Sequence, residues 1–224
     1  PYALVWKMTE LGAFVQDRWT MDRVTLNTGV RFDRFTTSFP EQHLGPGTLL
    51  PNRNIIFPAT SWYRLDDVSP RFGAAIDLTG HGTTVARATA GRYLVELSPA
   101  TGNPVAGVPL SVTRRWDDSD GDYAPDCDLL NPYANRECGM ISDLNFGGSA
   151  SSVSYDRAIL RGWNVRPANW EFSGGVQHQF PKGVDASATY VRRAYINASV
   201  TDNLATGPAD YTAFARRTYA GEGE

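Results

Sequence analysis

Val24-Thr25-Leu26-Asn27-Thr28-Gly29-Val30-Arg31-Phe32-Asp33 sets Val24, Leu26, Val30 and Phe32 on one face of an extended chain and Thr25, Asn27, Arg31 and Asp33 on the other. Period two sustained in this way marks a β-strand with one apolar and one polar side. The pattern runs on to Thr37, and a partner precedes it. From Leu11 to Trp19, Leu11, Ala13, Val15 and Trp19 share a face interrupted by Asp17, while Gln16 and Arg18 lie opposite beside Phe14. Only Thr20, Met21, Asp22 and Arg23 separate the two runs, so together they read as a hairpin.

Working outward, two further pairs follow. Arg71 to Leu78 leads through Gly80, His81 and Gly82 into Thr84 to Tyr93, whose Ala86, Ala88 and Ala90 make one side small. Trp170 to Phe180 leads through Pro181-Lys182-Gly183 into Val184 to Tyr195, with Trp170, Phe172, Val176 and Phe180 opposite Glu171, Ser173, Gln177 and Gln179. The strand pairs near 11–37, 71–93 and 170–195 are separated by long segments, 38–69 and 96–169. Tight turns at one end of a sheet and long loops at the other is the plan of outer-membrane β-barrels. The expected fold is all-β, an antiparallel up-and-down meander forming part of a large transmembrane β-barrel with long extracellular loops. Trp19, Tyr93, Phe180 and Tyr195 stand near strand ends, where such barrels carry aromatic girdles, although aromatic residues are common in any strand.

The first long segment, with Pro40, Gly45, Pro46, Gly47, Pro51 and Pro58, is expected to be irregular, with at most a short strand near Asn54 to Phe57. The second is expected to hold a strand over Leu110 to Trp116 and a flexible joint over 147–152. Arg192, Arg193, Arg216 and Arg217 read as solvated or rim charges. No stretch approaches the roughly eighteen consecutive apolar residues of a membrane helix, so a membrane role falls to strands. The negative mean hydropathy does not oppose this, because lumen-facing polar residues dilute the lipid-facing ones in every strand. With 21 basic and 24 acidic residues the net charge is −3 and the bases are scattered, which argues against nucleic acid as a partner.

Cys127 and Cys138 are the only cysteines, close together in a polar stretch. A local disulfide suits an oxidising compartment and adds up to about 3 kcal/mol by loop closure; the alternative is two free thiols. Just before them, Asp118, Asp120, Asp122 and Asp126 fall at the first, third, fifth and ninth positions of a calcium-loop spacing. Gly121 comes two positions early for such a loop and Leu129 stands where a bidentate glutamate belongs, so the choice lies between a Ca²⁺ site over 117–128 and a solvated acidic loop. No other cofactor is expected. His43, His81 and His178 are far apart and no nucleophile, zinc or phosphate-loop motif is present, so no catalysis is expected. Asn197-Ala198-Ser199 is a frequent accidental match to a glycosylation acceptor.

Phe14-Val15-Gln16-Asp17-Arg18-Trp19 followed by Leu26-Asn27-Thr28-Gly29-Val30-Arg31-Phe32-Asp33 resembles the paired strands of TonB-dependent outer-membrane receptors. Ser69-Pro70-Arg71-Phe72-Gly73 with Arg87-Ala88-Thr89-Ala90-Gly91-Arg92-Tyr93 is similar to the next pair. Arg161-Gly162-Trp163, Asn169-Trp170-Glu171-Phe172 and Gln177-His178 resemble the large receptors with a carboxypeptidase-regulatory-like N-terminal domain. The resemblance implies a 22-stranded barrel closed by a plug, outer-membrane lipid around it, and energy from the TonB complex through an N-terminal segment. Pro1 to Thr9 has neither the basic start nor the apolar run of a signal peptide. On this reading residues 1–224 are an incomplete barrel segment, the signal peptide, plug and remaining strands lying elsewhere. Its role is then wall and gate for uptake of an unidentified bulky nutrient such as a siderophore or glycan. Two other classes compete: an adhesive or structural outer-membrane β protein with a Ca²⁺-stiffened loop, and a secreted carbohydrate-binding β-sandwich.

Overall fold

The computed structural model describes residues 3–149 and 153–211. Part of the expected joint at 147–152, together with Arg216 and Arg217, lies outside the described residues. Strands β1 (Lys7–Met21) and β2 (Val24–Phe39) form the first hairpin. Two short strands, β3 (Gln42–Leu44) and β4 (Ile55–Phe57), pair within the first long connection. The second hairpin is β5 (Thr60–Asp77) with β6 (Thr84–Leu94). The second long connection holds β7 (Arg114–Trp116) paired with β8 (Cys138–Ile141), a single helical turn α1 (Arg157–Leu160) and β9 (Arg161–Trp163). The last hairpin is β10 (Ala168–Phe180) with β11 (Val184–Ile196). The six long strands make one antiparallel sheet in the order β1-β2-β5-β6-β10-β11, open at β1 and β11, and β9 adds to β5 in parallel.

The three hairpin turns lie at one end of the sheet. Asp22 adopts φ 48° in the first, and Lys182 and Gly183 adopt φ 70° and 79° in the third. In the second, the Asp77 carboxylate accepts from the backbone N–H groups of Thr79, Gly80 and Gly82. Register then fixes the two faces. Val15 is opposite Val30, Trp19 opposite Leu26, Val24 opposite Ile76, and Val176 opposite Ala86. Leu11, Val15, Trp19, Val30, Phe72, Ile76, Phe172, Val176, Phe180 and Val184 thus share one side, and all of them are exposed. Ala86 and Ala90 of β6 lie between larger side chains, Ile76 and Val176 for the one and Phe72 and Phe172 for the other, while Ala88 lies between Ala74 and Gly174. Apart from Asp17, opposite Thr28, this side is an apolar wall of the kind that outer-membrane barrels turn to lipid. The opposite side carries Gln16, Arg18, Asn27, Arg87, Glu171, Gln177 and Arg193 and faces the lumen.

No core forms along the lower strands, because one face meets lipid and the other the lumen. Burial is concentrated at the loop end. Phe35, Tyr63, Leu65 and Leu160 form one cluster, packed by Trp62, Leu97, Tyr155 and Val165. Leu44, Phe57, Val105 and Val108 form a second beneath the outer connections. Gln42 and Asn103 tie the second cluster to the segment before β1: Gln42 donates to Asn103 Oδ1 at 3.3 Å, and Asn103 donates to the Val5 carbonyl at 3.1 Å.

Two boundaries differ from expectation. The first connection ends at Phe57, and β5 begins at Thr60 instead of near Arg71. Pro70 suggests a break, yet it sits where β5 no longer needs an N–H on that side, since the ladder to β6 ends at Arg71 opposite Gly91. Within the second connection the strand expected over 110–116 is confined to Arg114–Trp116.

Gly175 tests the tightest approach of a strand glycine to neighbouring backbone. A Cβ there would lie 2.7 Å from the Ala188 carbonyl, whereas one on the adjacent Gly174 meets nothing nearer than 4.0 Å. Gly175→Ala is expected to cost about 1–3 kcal/mol and Gly174→Ala less than about 0.5 kcal/mol, read as denaturant midpoints of the protein folded in lipid vesicles.

Candidate functional site

Above Pro70 the sheet splits, and the gap is filled from the second connection. β9 pairs with Arg64, Leu65 and Asp66; Asn164 N–H donates to the Asp66 carbonyl at 2.7 Å, and Val68 N–H donates to Asn164 Oδ1 at 2.8 Å. From the other side Arg92 Nη1 donates to the Val68 carbonyl at 3.0 Å. Groups of the β5 backbone orphaned by the parting from β6 are thus satisfied by loop and side-chain partners. Asn197, at φ 56°, donates to the carbonyls of Asn164 and Arg166 and pins this segment to the end of β11.

Directly inside the split lies Asp67, fully buried, paired with Arg92 at 3.1 Å and with Arg166 Nε at 3.2 Å. The Arg92 contact is a hydrogen bond; the Arg166 contact has ion-pair distance without hydrogen-bond geometry. Asp33 is opposite Asp67 in the ladder and receives both bonds of the Arg31 Nε, at 2.8 and 2.9 Å. Two carboxylates directly across a strand pair repel, so the surrounding guanidiniums are what make this arrangement tenable. Arg166 also stacks over the Phe35 ring at 4.9 Å.

These groups form the floor of a cavity of about 510 Å³ on the lumen side of the sheet. Arg31, Ser69, Arg71, Tyr93 and Arg166 line it, with Glu10 and Glu96 at its exposed edge. Arg71 lies over the Tyr93 ring at 5.2 Å. In line with Arg71 across the sheet, Arg193 pairs with Glu171. The sequence reading missed Asp67, Arg92 and Arg166; the available signal was charged residues on a strand that also carries Tyr63 and Leu65.

The acidic loop is gathered differently from the calcium spacing. Asp118 and Asp120 come together with Glu137, while Asp122 and Asp126 stay out of that cluster. Asp122 accepts from Ala124 N–H, and Asp126 contributes its own N–H to Glu137 Oε2. Cys127 and Cys138 are joined by a disulfide with Cα atoms 5.9 Å apart, which brings Glu137 beside the 117–126 segment. Glu137 is the hub: Oε1 accepts from the N–H and hydroxyl of Ser119, and Oε2 from the Trp116 indole and Asp126 N–H. Those bonds, the Asp126 N–H foremost, hold its carboxyl down at about 2. All four acceptor positions of that carboxylate are used.

The histidines do not meet. His43 in β3 contacts Asn54 at 2.5 Å, His81 lies in the β5–β6 turn, and His178 in β10 contacts Thr84 at 2.7 Å.

A sheet with one lipid-facing wall, one polar wall, tight turns below and structured loops above defines an integral β-barrel protein. Residues 2–221 match the model of the outer membrane beta barrel domain, and the chain belongs to that family and lies in the outer membrane. Comparison with curated proteins and with solved structures finds no match in either.

Removing the Asp67 carboxylate strands two buried guanidiniums. Asp67→Ala is expected to cost about 3–5 kcal/mol, against about 0–1 kcal/mol for Glu171→Gln at the more exposed pair, in the same vesicle unfolding assay. For Glu137 the folded carboxyl lies below its ordinary value of 4.5, so its contribution is complete above that pH and is lost as pH falls toward about 2. The Trp116 indole N–H resonance is expected to shift through that window, and Glu137→Gln to abolish the shift.

Proposed function

We propose that the chain supplies wall and outer loops of a TonB-dependent active transporter that takes up a bulky nutrient, a siderophore or glycan, across the outer membrane. One observation carries the reading: the outer connections have an apolar core of their own and close over a polar, arginine-lined cavity at the mouth. A passive pore or a structural barrel has no need of ordered loops that shape a concave, charged pocket on the lumen side. The remaining strands, the plug and the TonB complex are the partners this role requires, and no catalytic step belongs to it. Accumulation of radiolabelled siderophores and oligosaccharides by cells tests it. Loss of accumulation on deleting the gene, reproduced by removing the TonB protein or collapsing the proton gradient, is the expected result; accumulation indifferent to both energy controls overturns it.

The acidic loop supports a second, smaller role as a calcium-stiffened contact surface. Asp118, Asp120 and Glu137 are the oxygen ligands at hand, but Glu137 is already saturated by donors. Calorimetric titration is therefore expected to give Ca²⁺ affinity no tighter than about 10⁻⁴–10⁻³ M, the range of extracellular modules, and to lose the signal in Asp120→Asn.

A further inference from the structure

We propose that the cavity above Asp67 is a subsite for an organic carboxylate, held by Arg166 and Ser69. Arg166 is 5% exposed and Ser69 3%. Both line the cavity, yet Arg166 Nη2 and Ser69 Oγ have no hydrogen-bond partner among the described residues. Buried polar groups in folded proteins are as a rule paired, and each one left unpaired is costly, so two on residues of one cavity wall mark a place for an outside acceptor. The Phe35 ring and the Asp67 pair hold the guanidinium plane in position before any ligand arrives.

The charge balance selects the ligand. Arg31, Arg71, Arg92 and Arg166 stand around Asp33 and Asp67, four cations to two anions, which leaves a net positive charge whose buried part is carried by Arg92 and Arg166. Glu10 and Glu96 oppose it only from the exposed edge, where water screens them. A guanidinium presents N–H donors in a planar fork that matches a carboxylate, and a hydroxyl beside it supplies one further donor. Phosphate would bring a second negative charge near Asp33, Asp67 and the edge glutamates, and a neutral sugar would leave the cation unneutralised. The volume accommodates a ligand of disaccharide size.

This names the ligand class of the transporter proposed above and rests on that reading only for the fate of the bound solute. The test separates the two. Calorimetry on the purified full chain in detergent uses citrate and digalacturonate as two sources of carboxylate, with digalacturonate dimethyl ester, maltose and inorganic phosphate as controls. At least one carboxylate is expected to bind saturably, with esterification or neutral replacement weakening it tenfold or more. Ser69→Ala, which breaks no bond within the protein, is expected to weaken binding about fivefold to tenfold with an unchanged unfolding midpoint. Arg166→Lys, which retains the charge but not the fork, is expected to weaken it further. No carboxylate binding, equal binding of the ester, tighter phosphate binding, or a Ser69→Ala protein that binds as the parent does would overturn the subsite. Carboxylate binding without energised accumulation of the same compound would overturn the transporter and leave the subsite standing.

Discussion

A fully buried carboxylate at the point where the sheet divides is the constraint on which the outer half of this protein depends. Below Arg71 and Gly91, β5 and β6 satisfy one another through their ladder. Above it they separate, and every backbone group facing the gap needs a new partner, because unpaired groups there cost as much as lost hydrogen bonds. β9, Asn164 and Arg92 supply those partners from two directions. Asp67 then fixes Arg92 and Arg166 against each other, so that a side chain of the wall and a side chain of the outer connection share one anion. The position of the second connection over the lumen follows from that sharing.

The two halves of the sheet are consequently stabilised by different solvents. In the lower half, apolar side chains point outward to lipid and the polar face meets the lumen, so strand pairing and bilayer partitioning do the stabilising. In the upper half the chain has left the bilayer, and Phe35, Tyr63, Leu65 and Leu160 bury against residues of the connections as a soluble core does. A single strand passes through both regimes. β2 is apolar outward at Val24, Leu26, Val30 and Phe32, and from Phe35 onward it is apolar inward at Phe35 and Phe39, which are buried. Strands of fifteen to eighteen residues, as β1, β2 and β5 are, exceed the roughly 9–11 that a bilayer needs, and the surplus carries the loops.

The three hairpins were legible because alternation is a local property: Val24 to Phe32 declares its faces without reference to any other segment. The upper part of β5 was not legible, since Thr60 to Pro70 mixes Tyr63 and Leu65 with Asp66 and Asp67 and ends in a proline. Its strand character depends on β2 on one side and on β9, a hundred residues later in the chain, on the other. The same limit governs the acidic loop. Regular spacing pointed to Asp122 and Asp126, but the disulfide folds the segment back and recruits Glu137, whose neighbour Cys138 was the one sequence clue to its role. The resemblance to a receptor barrel carried the membrane setting and could not carry the site, which is assembled from residues of β2, β5, β6 and the second connection.

Stability alone does not explain why the split is closed with charge. A buried ion pair is often no better than well-packed apolar residues of the same volume, because desolvating both partners offsets their attraction. Phe35, Leu65 and Val165 lie close by, so an apolar closure of the gap was accessible to this architecture. An apolar closure would seal the wall equally well and would leave the cavity floor without a donor. Closing it with Asp67, Arg92 and Arg166 seals the wall and at the same time leaves Arg166 Nη2 and Ser69 Oγ, both on residues of the cavity wall, without partners among the described residues. The charge is accounted for by what it presents to the cavity, and the fold tolerates its cost because the neighbouring strands already fix each member of the group in place.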